Sequence, residues 1–405
     1  MVNWQTKKLS DITTLIKDGT HGTHQDVVGG IPLLSAKDIN NGTVNLVSDA
    51  RLISKDDFNS IHKSYKLCDG DILLTIVGSL GRVAAVKNYH DNYTFQRSVA
   101  ILRFSEELDS RFAYYTLTEG AFQKELLKRE SKGAQGGVYL GDISKVKIQV
   151  PEKPEQERIV GVLEVWDEYI KKLEQKIALK EQLKKGLMQR YFAVSSSSEG
   201  VVELQEFVKN FSTGLNPRQN FSLGNGGNRY ITIKNISDGK LNLNNAEFVD
   251  DKAIAMISKR SKLAKNDVIM SSIGNIGEAY LLREDPVGWN INESVFSLKP
   301  DEQKVLPEYL YYLVTSEFAK RFFDNHMTGS SFKSIKMKDL KSMPVRQLSL
   351  NQQAEIVKVL YNIDSQLTNL SSQLINVKLQ KRYLLKNLIT GTIRTPETLT
   401  PKGVS

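Results

Sequence analysis

Two stretches of the chain repeat apolar residues at alternating steps of four and three. In the later one these are Ile356, Leu360, Ile363, Leu367, Leu370, Leu374 and Val377; Lys381 interrupts the series before Leu384 and Leu388. In the earlier one they are Ile159, Leu163, Trp166, Ile170, Leu173 and Ile177, with Lys180 and Lys184 interrupting before Leu187 and Tyr191. Such a series is a heptad seam with apolar a and d positions, and it predicts a long helix. One short seam is usually buried against its own domain. Two seams of about five to six heptads at equivalent places favour pairing with each other. The chain order then makes the pair antiparallel and places the flanking domains at its two ends.

Outside the seams the periodicity shortens. Runs of β-like residues occur at Ile31–Ala36, Asp71–Val77 and Val99–Phe104, and again at Tyr230–Ile233, Asp267–Ile273 and Val295–Leu298. Helical stretches follow at Arg111–Arg129 and Glu308–Phe323, and then loops at Lys132–Gly137 and Thr328–Phe332 rich in glycine or serine. Pro151 and Pro154 mark the start of the first long helix, Ser195–Ser198 with Gly200 the linker after it, and Gly391 the end of the second. The expected boundaries are a first domain at 1–152, a helix at 153–194, a second domain at 195–348, a helix at 349–391 and a flexible tail at 392–405.

The two halves are copies. Asp71, Gly78 and Gly81 recur 196 positions later as Asp267, Gly274 and Gly277, and Ser98-Val99 recurs as Ser294-Val295. Near the helices the offset is 197: Gln156 falls on Gln353, Ile159 on Ile356, Asp167 on Asp364 and Leu173 on Leu370. A nearly constant offset over most of each half means tandem duplication. The predicted fold is therefore α+β: two repeated mixed α/β domains joined by two long antiparallel coiled-coil helices, with pseudo-two-fold symmetry.

Composition narrows the partner. A net charge of +9 favours a polyanion. The single cysteine, Cys68, excludes an internal disulfide and a zinc site built on several cysteines. The polar N-terminus, and the absence of any apolar run of membrane-spanning length, point to a cytoplasmic protein without a membrane partner. His21 and His24 lack neighbouring ligands, so they read as loop residues and no metal site is expected. Phosphate-loop, amino-methyltransferase, metalloprotease and serine-hydrolase motifs are all missing, which suits a binder better than a catalyst.

The candidate DNA contacts lie in the loops. Ser79 sits in one glycine turn and Arg82 directly after it, and Asn275 sits in its copy. Gln96, Arg97 and Asn292 carry side chains that suit adenine or guanine edges. Lys37 and Lys234 share a repeat position suited to a phosphate. Gln135 and Tyr139 belong to the second loop of the first half, and Ser330, Ser331 and Lys333 to that of the second. Helices of about 37 residues span roughly 55 Å, or about 16 base pairs of B-DNA, so two unlike domains on such a rod suit an asymmetric two-part site.

Asp69-Gly-Asp-Ile-Leu with Gly78-Ser-Leu-Gly81, and Leu140-Gly-Asp-Ile running into Val150-Pro-Glu-Lys-Pro-Glu-Gln-Glu-Arg-Ile159, resemble the specificity subunits of type I restriction–modification systems. The second copy is looser: Asn351 and Gln352 replace the family's proline and glutamate. The resemblance covers nearly the whole chain. It implies that each half is a target recognition domain for one part of a split DNA sequence. The helices would set the spacer and dock two methyltransferase subunits, which motor–endonuclease subunits can join. S-adenosylmethionine, ATP and magnesium would belong to those partners, leaving this chain without cofactor or catalytic residues. A stand-alone bipartite DNA-binding regulator, an enzyme with an unfamiliar site and a coiled-coil scaffold are the competing readings.

Overall fold

The computed structural model describes residues 4–46, 49–131, 136–194, 200–218, 220–329 and 333–399. They form two compact units, residues 1–173 with 373–405, and residues 174–372. Each long helix is therefore shared, its first half in one unit and its second half in the other.

Both units are built on the same four-stranded antiparallel sheet. In the first the strand order is Thr13–Asp18, Val99–Phe104, Ile72–Thr75, Val83–Ala85. In the second it is Val208–Thr213, Val295–Pro300, Val268–Ser271, Ala279–Leu281. The central strands are apolar without alternation because both faces are covered. Ile72, Leu74, Ala100 and Leu102 enter one core with Phe112 and Leu163, while Leu73, Val99 and Ile101 enter another with Leu34, Phe58 and Phe95. The strand period of two thus feeds two cores from one run. A smaller three-stranded sheet stands beside it in each unit, centred on Ile31–Leu34 and Asn228–Ile231.

Each predicted helical stretch is two helices. Ser110–Thr118 gives way to Gly120–Leu127, where Glu119 accepts a hydrogen bond from the Ala121 amide at 2.6 Å. Pro307–Val314 gives way to Glu317–His326, where Ser316 Oγ accepts from the Ala319 amide at 3.1 Å. A capping side chain restarts the helix in a new direction, and apolar spacing alone does not show this.

The long helices run Lys153–Phe192 and Leu350–Ile389. In the first unit Ile159, Val160 and Leu163 share a core with Leu388 and Ile389, Asp167 pairs with Lys381, and Gln373 donates to Tyr169 Oη at 2.6 Å. One helix therefore descends as the other climbs. The second unit repeats this with roles exchanged: Lys184 lies 2.6 Å from Asp364, and Met188 and Phe192 pack with Leu360. Leu187 and Tyr191 are half-buried against the core, as Ile170 and Ile177 are half-buried further up the helix, and Met188 and Phe192 beside them are buried. Lys184 and Lys381 complete the seam, although in the sequence they look like interruptions. Each ammonium reaches the aspartate of the facing helix and lies over a tyrosine ring, Tyr312 at 5.6 Å and Tyr115 at 5.4 Å.

Those tyrosines join the helices to the domains. Tyr115 Oη donates to Asp167 at 2.7 Å and Tyr312 Oη to Asp364 at 2.8 Å. Burial, and then the neighbouring carboxylate, push both phenols far above their ordinary range, so each remains a proton donor. A second shared contact lies at the helix starts. Gln156 is fully buried; its Oε1 accepts from the Asp109 amide at 2.8 Å and its Nε2 donates to the carbonyls of Glu107 and Pro151. Gln353 makes the same three bonds, to the Leu306 amide and the carbonyls of Lys304 and Leu348. A buried amide is tolerated because both of its ends are satisfied.

The segment after Gly391, expected to be flexible from residue 392, is held as far as Thr395. Arg394 clamps Glu155 with Nε and Nη2, each 2.5 Å from a carboxylate oxygen, and lies 5.4 Å over Trp4. Arg158 Nε donates to Thr395 at 3.3 Å. A buried carboxylate needs a cation, and Glu155 finds it in the segment the sequence leaves polar and proline-rich.

Candidate nucleic-acid interface

In each unit three loops meet beside one end of the main sheet. The first is the turn after the central strand. Gly81 and Gly277 adopt φ of +83° and +91°, which a side chain at these positions would oppose. Thr75 Oγ1 donates to the Ser79 carbonyl and Ser271 Oγ to that of Asn275, which leaves Ser79 and Asn275 exposed at the tips.

The second loop is Gln96–Ser98, with its copy Asn292–Ser294. The Gln96 amide donates to Leu34 O at 2.9 Å and the Asn292 amide to Ile231 O at 2.8 Å. Each loop closes on itself, Val99 to Gln96 at 3.2 Å and Val295 to Asn292 at 3.3 Å. Gly19 and Gly214 press against them: an added Cβ would lie 2.1 Å from the Phe95 carbonyl oxygen and 1.7 Å from that of Ile291. Only glycine allows this approach, so the frame is the same in both units.

The third loop packs alongside. Val138 donates to Ile76 O at 2.9 Å, and Ile335 to Ser272 O at 3.0 Å. In the first unit these loops enclose a cleft of about 330 Å³ lined by Asp18, His21, Arg97, Ser131, Gly137 and Tyr139, among others. His21 Nε2 lies 2.6 Å from Asp18, whereas His24 turns away to Asp57 at 3.0 Å and lowers that carboxyl's pKa. The two histidines thus serve different partners.

The structure brings Arg97 and Tyr139 to one cleft, and Ser79 and Gln96 onto the adjoining loops. Lys37 is exposed near the second loop, where the Ala36 amide donates to Ser98 Oγ at 3.0 Å, and it pairs with Asp49 at 3.2 Å. Arg82 faces inward: its Nη1 donates to the carbonyls of Ala36 and Ile39, so it holds that turn in place. In the second unit Asn275 and Lys333 come together, because the Gly274 amide approaches the Lys333 carbonyl at 3.4 Å. Lys234 is exposed, and Asn292 spends its Oδ1 on the Ser294 amide at 3.0 Å. Gln135, Ser330 and Ser331 lie outside the described residues. Asp18, His21 and Ser131 line the same cleft without having been candidates for DNA contact, and Glu293 stands at the repeat position of Arg97.

Comparison with known proteins agrees with this architecture. The type I restriction enzyme MjaVIII specificity subunit of Methanocaldococcus jannaschii is 21% identical over 420 residues, spanning 97% of this chain and 93% of that protein. The crystal structure of a type I restriction–modification S subunit from M. genitalium superposes with a TM-score of 0.55 at 18% identity, covering 96% of each chain. A chain from a structure presented as the basis of complex assembly and conformational transition of the type I R-M system gives 0.62 at 16% identity, covering 97% of this chain and 99% of that one. At such identities the likeness speaks for the fold. The family model for the type I restriction modification DNA specificity domain matches twice, at residues 1–185 and 198–379. Two matches in tandem, one to each copy, place the whole chain in a single family: it belongs to the type I restriction–modification DNA specificity proteins.

Proposed function

We propose that each unit reads one part of a two-part DNA sequence and that the chain itself performs no chemistry. The observation carrying this reading is the repeated loop frame: the same backbone bonds hold the loops of both units, while the exposed side chains on them differ. A frame kept constant under changing tips is what two readers of different sequences require. The net positive charge supplies the sequence-independent attraction to phosphate.

The paired helices fix the spacer and dock two methyltransferase subunits, which motor–endonuclease subunits join. Exposed apolar side chains on the helices support docking: Leu179 and Leu183 in the second unit, and Ile375, Leu379 and Tyr383 in the first. S-adenosylmethionine, ATP and magnesium belong to those partners. Among the described residues no helix is long and apolar enough to cross a membrane.

Methylome sequencing of cells with and without this chain, its methyltransferase partner being expressed in both, tests the proposal. A two-part asymmetric methylated motif should vanish on deletion. An unchanged methylome in an active system would remove the specificity role and favour a stand-alone regulator.

A further inference from the structure

Arg97 and Glu293 occupy the same place on the same loop frame, with opposite charge. Each follows the residue whose amide is fixed to the neighbouring strand, and each precedes a serine whose carbonyl accepts from the main sheet, Ile76 to Ser98 and Ser272 to Ser294, both at 2.9 Å. Arg97 is exposed on the cleft and, among the described residues, its guanidinium has no ion-pair partner. Among the described residues Glu293 has only a shared hydroxyl. Tyr230 Oη lies 3.3 Å from its Oε2 but 2.7 Å from the Leu215 carbonyl, which takes the proton more strongly.

A carboxylate on a surface meant for DNA is repelled by the phosphates, so its presence needs a compensating donor. In the grooves the donors are exocyclic amino groups, and the characteristic partner of a glutamate is cytosine N4. An unpaired arginine at the equivalent place has the complementary chemistry, a fork of donors for guanine O6 and N7.

We propose that this position determines specificity in both halves, Arg97 selecting guanine in one part of the site and Glu293 selecting cytosine in the other. The inference rests on the DNA-reading function proposed above and adds the residue and the base to it. Both side chains are at least partly exposed and neither enters a core cluster, so Arg97→Gln and Glu293→Gln should fold as the parent does.

The test is selection from a random-sequence duplex library by the full chain assembled with its methyltransferase subunits, comparing the parent with the two variants. Arg97→Gln should lose guanine preference at one position of one half-site by roughly ten- to hundredfold, moving towards adenine, with the other half unchanged. Glu293→Gln should lose cytosine preference at one position of the other half by a similar factor. Parent and variants selecting one identical motif at equal strength would overturn the inference and leave DNA reading intact. A parent that selects no motif would overturn the underlying function, and this inference with it.

Discussion

Asp71 and Asp267 begin equivalent strands of the two units, and the two are held differently. Asp71 is buried and receives Arg103 Nε at 2.7 Å and Nη2 at 2.8 Å, with the Cys68 amide at 2.9 Å. Asp267 is equally buried and keeps the amide bond, from Ala264 at 2.9 Å, but its repeat partner is Lys299. Among the described residues its Oδ1 has no hydrogen-bond partner. Burial raises its pKa to about 6. By contrast, the Gln156/Gln353 contacts and the Tyr–Asp–Lys triads are the same in both units. Duplication has preserved what joins helix to domain, while charge pairs within each domain, like the reading tips, have drifted.

Breaking the pair in one unit only should separate them most. Arg103→Ala removes the cation paired with buried Asp71 and leaves the Cys68 amide as its donor, and should cost about 3–5 kcal/mol in the first unit. Lys299→Ala, removing an exposed lysine, should cost less than about 1 kcal/mol in the second. Hydrogen exchange at the central strand amides measures both, and equal losses would contradict the distinction.

Next in size is the pH response of the second unit. The folded-state pKa of Asp267 is raised, so the folded unit binds the extra proton between about pH 4 and 6. Stability is therefore greatest below that window and falls as pH rises through it. Asp267→Asn should flatten this dependence and stabilise the unit by up to about 3 kcal/mol at pH 7.5. A variant with the parent's pH profile would remove Asp267 as its source.

Smaller, and equal in the two units, should be the loss from Lys184→Met or Lys381→Met, about 1 kcal/mol each. Denaturant unfolding followed unit by unit checks the equality. Smallest of all should be Lys37→Ala or Lys234→Ala, which weaken DNA binding alike on every sequence and lower the salt slope by about 0.9. A salt titration showing no change in slope would take these lysines off the phosphates.

The architecture was legible because two periodicities survive in the chain: the four–three spacing of the seam and the offset of 196 to 197 between copies. The triads were half-legible. Asp167 and Asp364 stood in register, yet Lys184 and Lys381 looked like defects, because a hydrophobic count cannot show that a lysine faces an aspartate on another helix. Arg82 was placed correctly in its turn, but the direction of its side chain depends on the carbonyls of Ala36 and Ile39, which the fold brings in from a remote segment. The tie between Arg394 and Glu155 spans the chain and leaves no local signature. Glu293 carries no signal of its own in the sequence beyond standing 196 positions after Arg97.

The most direct test of the account is a structure of the chain bound to a duplex carrying its methylated motif. DNA should lie against both loop clusters: residues 78–81, 96–97 and 136–139 on one segment, and residues 274–277, 292–293 and 333–335 on a separate one. DNA lying against only one unit, or away from these loops in both, would contradict it.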